Sequence, residues 1–127
     1  MRRLTATLCL TLAVLLGSAG MSVSQDFQKG FDAYNRGDYA TALREWTLAA
    51  EQGNADAQYS LGLMYANGDG VLQDYVYAQM WWNIAASSGN KNASENRDSI
   101  AKRMTPSQIE RAQDLARECL RKNYKGW

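Results

Sequence analysis

The sequence contains no histidine, which excludes a histidine general base, a histidine-based triad and any imidazole metal site. It has two cysteines, Cys9 and Cys119, too few for a thiolate zinc cluster. Cys9 lies inside an apolar N-terminal run. A chain shortened at that end keeps Cys119 alone, so no internal disulfide is expected, and its place on the apolar stripe of the last helix predicts a buried, inert thiol. Phosphate and calcium loops are also missing. Asn67-Gly68-Asp69-Gly70 lacks the Lys-Ser/Thr that completes a phosphate loop, and the acids around Asp69 and Asp74 are too sparse for the twelve-residue calcium pattern. No catalytic residue, cofactor or metal is expected.

Long apolar runs are short in supply. The longest, Leu4 to Leu16, falls below the ~20 residues that span a bilayer. Arg2 and Arg3 precede it and the small residues Ser22-Val23-Ser24 follow, so residues 1–24 read as a secretory signal, cut before Gln25 or alternatively after Gly20. Residues 25–127 then form one exported domain, periplasmic or secreted, with no stable membrane span. The cut removes two arginines and no acid, taking the formal charge from +1 to −1. A slightly acidic exported chain is a poor match for nucleic acid. The charge is uneven. Residues 25–90 carry three bases against eight acids, and residues 91–127 nine bases against five acids. Such asymmetry arises from solvated helix faces, or from an acidic repeat end and a basic cap that draw partners.

What the sequence has is helical spacing. Ala57, Leu61, Gly62 and Tyr65 share one helix face, and Asn67 to Gly70 ends that helix. Asp74 caps the next, in which Ala78, Trp81, Trp82, Ala85 and Ala86 follow at helical spacing before Gly89. Glycine inside a helix costs about 0.5–1 kcal/mol relative to alanine, so Gly62 on the apolar face implies close approach of a neighbouring helix. Sliding the sequence on itself by 36 positions aligns Asp38-Tyr39, Ala42, Trp46, Ala49-Ala50, Gly53 and Asn54 with Asp74-Tyr75, Ala78, Trp82, Ala85-Ala86, Gly89 and Asn90. The match has no gap, which marks an internal repeat.

The pattern A-x-x-x-L-G-x-x-Y, a G-x-G-V turn and D-Y-x-x-A-x-x-W-x-x-x-A-A-x-x-G resembles the Sel-1-like repeat, a relative of the tetratricopeptide repeat. The resemblance covers Ala55 to Gly89 in full. It implies an all-α fold, a short α-solenoid of antiparallel helix hairpins with a C-terminal capping helix. Repeats are expected at 27–53 and 55–89, with a degenerate cap at 90–122. In the first helix Phe27, Gly30, Phe31 and Tyr34 share a face. Asn54 or Asp56 caps the third helix and Asn90 the fifth. Thr105, Pro106 and Gln108 form the best helix start in the chain, a capping box with proline at the first helical position. The M-T-P-x-Q-I-x-x-A-Q-x-L-A-R-E segment also resembles the C-termini of exported bacterial members.

For function, the resemblance implies a non-enzymatic scaffold that binds a protein or peptide partner in the envelope. Aligning Tyr34, Tyr65 and Ala101 brings Gln28, Asp32 and Asn35 beside Tyr59, Leu63 and Asn67, with Glu95, Ser99 and Lys102 from the fifth helix. These nine residues are the expected binding groove; the other reading is that Tyr59 and Leu63 contact the capping helix. Trp46 and Trp82 occupy equivalent repeat positions and are expected in the core. Trp81 and Trp127 are not explained by the repeat. The alternative function is an envelope hydrolase acting on peptidoglycan or a β-lactam, by analogy with the cysteine-rich branch of the family, with Glu45 or Glu51 as lone carboxylates. This chain lacks the paired cysteines of that branch.

Overall fold

Among the described helices, five begin on a side chain that satisfies a free helix end. The structure is a computed structural model and describes residues 23–123. The expected signal segment, apart from its last two residues, lies outside those residues, as does Trp127. Six helices are described: α1 (Val23–Asn35), α2 (Tyr39–Glu51), α3 (Ala55–Asn67), α4 (Tyr75–Ser87), α5 (Lys91–Ala101) and α6 (Pro106–Arg121). The all-helical repeat architecture expected from the sequence is what is found. Because α1 starts at Val23, a cut before Gln25 falls within its first turn, whereas a cut after Gly20 lies ahead of it.

Asp38 accepts from the Thr41 amide, Asn54 from Ala57, Asp74 from Val76 and Tyr77, and Asn90 from Ala93. Each thereby satisfies a donor that the first helical turn leaves free. At α6 the Thr105 hydroxyl accepts from the Gln108 amide while the Gln108 side chain accepts from the Thr105 amide, closing the capping box. Gly68 takes a left-handed φ of 74° and donates to the Met64 carbonyl, a conformation that side chains disfavour. Gln58 Nε2 donates to the Ala50 carbonyl at 3.0 Å, tying α3 to the C-terminal end of α2.

The two hairpins are built on one device. In each, a tryptophan of the second helix lies flat over a glycine of the first. Trp46 Nε1 donates to the Phe27 carbonyl and Trp82 Nε1 to the Tyr59 carbonyl, both at 3.0 Å. A Cβ added at Gly30 would fall within the Trp46 indole, and one at Gly62 within that of Trp82. The close approach expected at Gly62 is therefore to the tryptophan of its own hairpin. Trp46 and Trp82 are buried as expected.

Two apolar clusters follow the chain. The larger joins Ala33, Ala42, Trp46, Ala49 and Ala50 of the first hairpin to Ala57, Leu61, Met64, Met80, Trp81 and Ile84 of the second, and to Ala116 and Cys119 of α6. The smaller joins Ala78, Trp82 and Ala85 to Ala93 of α5. The last helix packs along α4. It covers Met80, Trp81 and Ile84, all fully or almost fully buried, which explains the tryptophan that the repeat pattern left unassigned.

Two expectations need correction. Phe27, Gly30 and Tyr34 pack inward as their shared face predicts, but Phe31 on that face is 45% exposed and Ala33 is buried. Cys119 is fully buried but disulfide-bonded, not a free thiol, and the other half of that bond lies outside the described residues.

Candidate functional site

The first helices of the hairpins, α1 and α3, and the equivalent α5 present one row of positions each. On α3, Asp56, Tyr59, Leu63 and Asn67 recur every three or four residues and share one side. Asp56 and Asn67 are exposed, Tyr59 and Leu63 half-buried. The register of α1 against α3 is set by the glycine and indole pairs. Gly30 corresponds to Gly62 and Phe27 to Tyr59, a shift of 32 residues that also brings Val23–Asn35 onto Ala55–Asn67. Aligning Tyr34 with Tyr65 is thus one residue out of register. The counterparts of Tyr59, Leu63 and Asn67 on α1 are Phe27, Phe31 and Asn35, not Gln28 and Asp32.

That shift separates the nine expected groove residues. Gln28 and Asp32, hydrogen-bonded to one another at 3.0 Å, correspond to Ser60 and Met64, which are buried on α3. Met64 lies in the cluster shared with Ala33 and Ala42 of the preceding hairpin. Among the described residues no hairpin precedes α1 on that side, and Gln28 and Asp32 are both exposed at the N-terminal end of the described stack. Asn35 stays in the row with Asn67. Glu95 and Ser99 follow at the 36-residue shift and are exposed on α5, while Lys102 is its C-cap. Phe27 and Phe31 were missed as site residues; the paired glycines Gly30 and Gly62, thirty-two apart, were the signal that would have found them.

One reading puts Tyr59 and Leu63 against the capping helix. They pack on the smaller cluster of α4 and α5, with Ile100 beside them. The Tyr59 hydroxyl accepts from Asn96 Nδ2 at 3.5 Å, and Asp56 Oδ1 accepts from Asn90 Nδ2 at 3.4 Å, so side chains bridge α3 to α5. On the other side, the Tyr34 hydroxyl donates to Asp69 Oδ2 at 2.6 Å. That bond to a carboxylate, reinforced by burial, pushes the phenol up to about 12. Among the row residues Phe31 is the largest exposed apolar group.

The two carboxylates weighed for catalysis differ. Glu45 lies 3.8 Å from Arg44. Glu51, half-buried at the end of α2, is pushed up to about 8 by burial. No group of three potential metal ligands occurs among the described residues. No helix among them is long and apolar enough to cross a membrane.

The Sel1 repeat family pattern matches residues 55–90, the stretch that holds α3, its turn and α4. The chain carries a Sel1 repeat. An exopolysaccharide production negative regulator of Rhizobium leguminosarum bv. viciae is 44% identical over 48 residues, which are 38% of this chain and 18% of that protein. A solved protective antigen present in uropathogenic Escherichia coli strains, which displays an SLR fold, superposes with a TM-score of 0.74 at 31% identity. The match covers 81% of this chain and 23% of that one. The chain thus spans about a fifth of the length of either relative, and the Sel1-like architecture extends beyond the matched repeat to most of the described helices.

Proposed function

We propose that this Sel1-like chain is a non-enzymatic scaffold, exported to the bacterial envelope, that holds a segment of a partner protein against the face formed by α1, α3 and α5. The observation that carries this reading is Phe31. It occupies the position of Leu63 on the preceding helix, yet it stands 45% exposed, so the row continues as an apolar strip with nothing of the described chain closing over it. Aromatic anchors at the centre of a contact carry a large share of binding energy, and polar neighbours such as Asn35 and Asn67 supply hydrogen bonds around them. The likeness to a regulator and to a protective antigen agrees with a protein that acts by contact. Arg2, Arg3 and the apolar run behind them support export.

Affinity capture from a periplasmic extract, with the wild type and Phe31→Ser compared by mass spectrometry, tests this reading. Proteins retained by the wild type and lost by the variant support it; identical retention contradicts it. The hydrolase alternative draws on Glu51, whose carboxyl is pushed up to about 8 by burial. Turnover of nitrocefin or peptidoglycan that disappears in Glu51→Gln would establish it in place of the scaffold.

A further inference from the structure

The second hairpin turns through seven residues, 68–74, where the first turns through three, 36–38, and the longer turn lies against the first hairpin. Asp69 Oδ2 accepts from the Tyr34 hydroxyl at 2.6 Å. Gly70, at a left-handed φ of 73°, brings the backbone so near that an added Cβ would stand 2.7 Å from Tyr39 Cβ. The turn is itself held in shape. The Asp69 amide donates to the Met64 carbonyl at 3.0 Å, the Asp74 amide to the Tyr65 carbonyl at 2.9 Å, and Gln73 Nε2 to the Ala66 carbonyl at 2.9 Å. Tyr34 is fixed as well, since its ring packs on Tyr39 and Trp46 with centroids 5.0 and 5.6 Å away. At the 32-residue shift Tyr34 corresponds to Ala66, which has no hydroxyl, so this bond is not part of the repeat pattern.

The chain joins the two hairpins at residues 52–54, and Gln58 bonded to the Ala50 carbonyl reinforces that end. The Tyr34–Asp69 bond lies at the opposite end of the same joint. We infer that Tyr34 and Asp69 form a clasp between the repeats: while it is closed the first hairpin stays seated on the second, and when it is broken the first hairpin opens about the 52–54 link ahead of the rest of the chain. A hydroxyl donated to a carboxylate is one of the stronger side-chain hydrogen bonds. A terminal unit of a stack is held through its interface with one neighbour, so loss of the bond is felt in that unit and not at the far end. Opening in contiguous units of this kind is how folded chains exchange their amides. The clasp stands whether or not the α1, α3 and α5 face holds a partner.

Hydrogen exchange read by mass spectrometry on the full chain tests it, with the wild type compared with Tyr34→Phe, Asp69→Ala and Asp69→Asn. Amides of α1 and α2 should exchange about tenfold faster in Tyr34→Phe and in Asp69→Ala, with no change across α4 to α6. The double variant Tyr34→Phe, Asp69→Ala should exchange no faster than either single one, because one bond is lost once. Asp69→Asn keeps a carbonyl acceptor for the phenol and should fall between the wild type and Asp69→Ala. Asp69 lies in a turn, so its two variants carry the test should Tyr34→Phe not fold. Unchanged exchange in α1 and α2 would overturn the clasp. Exchange quickened equally in every helix would show a loss of global stability in its place, and fully additive effects of the two substitutions would show that the residues act separately; either result would overturn it too.

Discussion

The first and second hairpins share their helix lengths, their caps and the indole laid over glycine, and they differ in what surrounds them. On α4, Met80 and Ile84 are fully buried because α6 packs along that side. The 36-residue counterparts on α2 are Arg44 and Leu48, and both are exposed. On the first helices the order of packing is similar: Leu63 leans on the cluster of α4 and α5, while Phe31 is left open. The repeat pattern thus specifies how a hairpin closes on itself. The residues outside the pattern record which neighbour each hairpin has, and a repeat unit is stable only with its neighbours in place.

The largest effect should come from the neighbour that only the second hairpin has. Trp81→Ala opens a cavity beneath α6 and is expected to cost ~3–5 kcal/mol in chemical denaturation, whereas Arg44→Ala at the open side of α2 should stay within ~0.5 kcal/mol. Equal losses would remove the distinction between the two hairpins. Tyr59→Ala with Leu63→Ser is next. Both side chains pack on the smaller cluster, so the unfolding midpoint should fall by several degrees, about 2–3 kcal/mol. An unchanged midpoint would mean that this side of α3 is free for a ligand alone.

The glycine device should respond alike in both repeats. Gly62→Ala and Gly30→Ala each push a Cβ into a buried indole and should cost about 1–3 kcal/mol, the usual range for overpacking, with the leucine variants worse. A neutral Gly62→Ala, which sequence spacing alone would allow, would show that the indole can move aside.

Much of this architecture was legible in the sequence. Asp74, Asn90 and the Thr105-Pro106-Gln108 start were read correctly because a cap is a local contact, and the tryptophan repeat was legible because α2 and α4 keep a fixed spacing. The register of α1 was not, for a physical reason. The first hairpin turns through three residues, 36–38, and the second through seven, 68–74, so a spacing learned from the second helices does not carry to the first, and Tyr34 aligned with the wrong partner. The position of α6 also escaped, since an amphipathic stripe states that a helix is covered without stating by which neighbour. The groove residues inherited the register error, which is why Gln28 and Asp32 were named for the groove and Phe31 was passed over.

A smaller effect separates the ends of α2 and α4, where Glu51 corresponds to Ser87. Burial raises the Glu51 carboxyl above its unfolded value, so the folded state holds the proton more tightly. Its contribution is full below about 4.5 and is lost as pH rises towards about 8. Stability measured by urea unfolding should decline across that window by on the order of 1 kcal/mol, after allowance for partial exposure, and Glu51→Gln should flatten the decline. A profile identical in the two proteins would contradict the assignment.

The smallest expected change in stability belongs to Phe31→Ser, and it bears most directly on the claim that an open row on the first helices is a binding face. The measurement pairs the thermal midpoint of that variant with its retention of partner protein from a periplasmic extract. The prediction is a midpoint within about 2 °C of the wild type, as expected for an exposed substitution, together with loss of the retained partner. A midpoint lowered by many degrees, or a partner held as firmly as before, would show that Phe31 serves the fold and not a ligand.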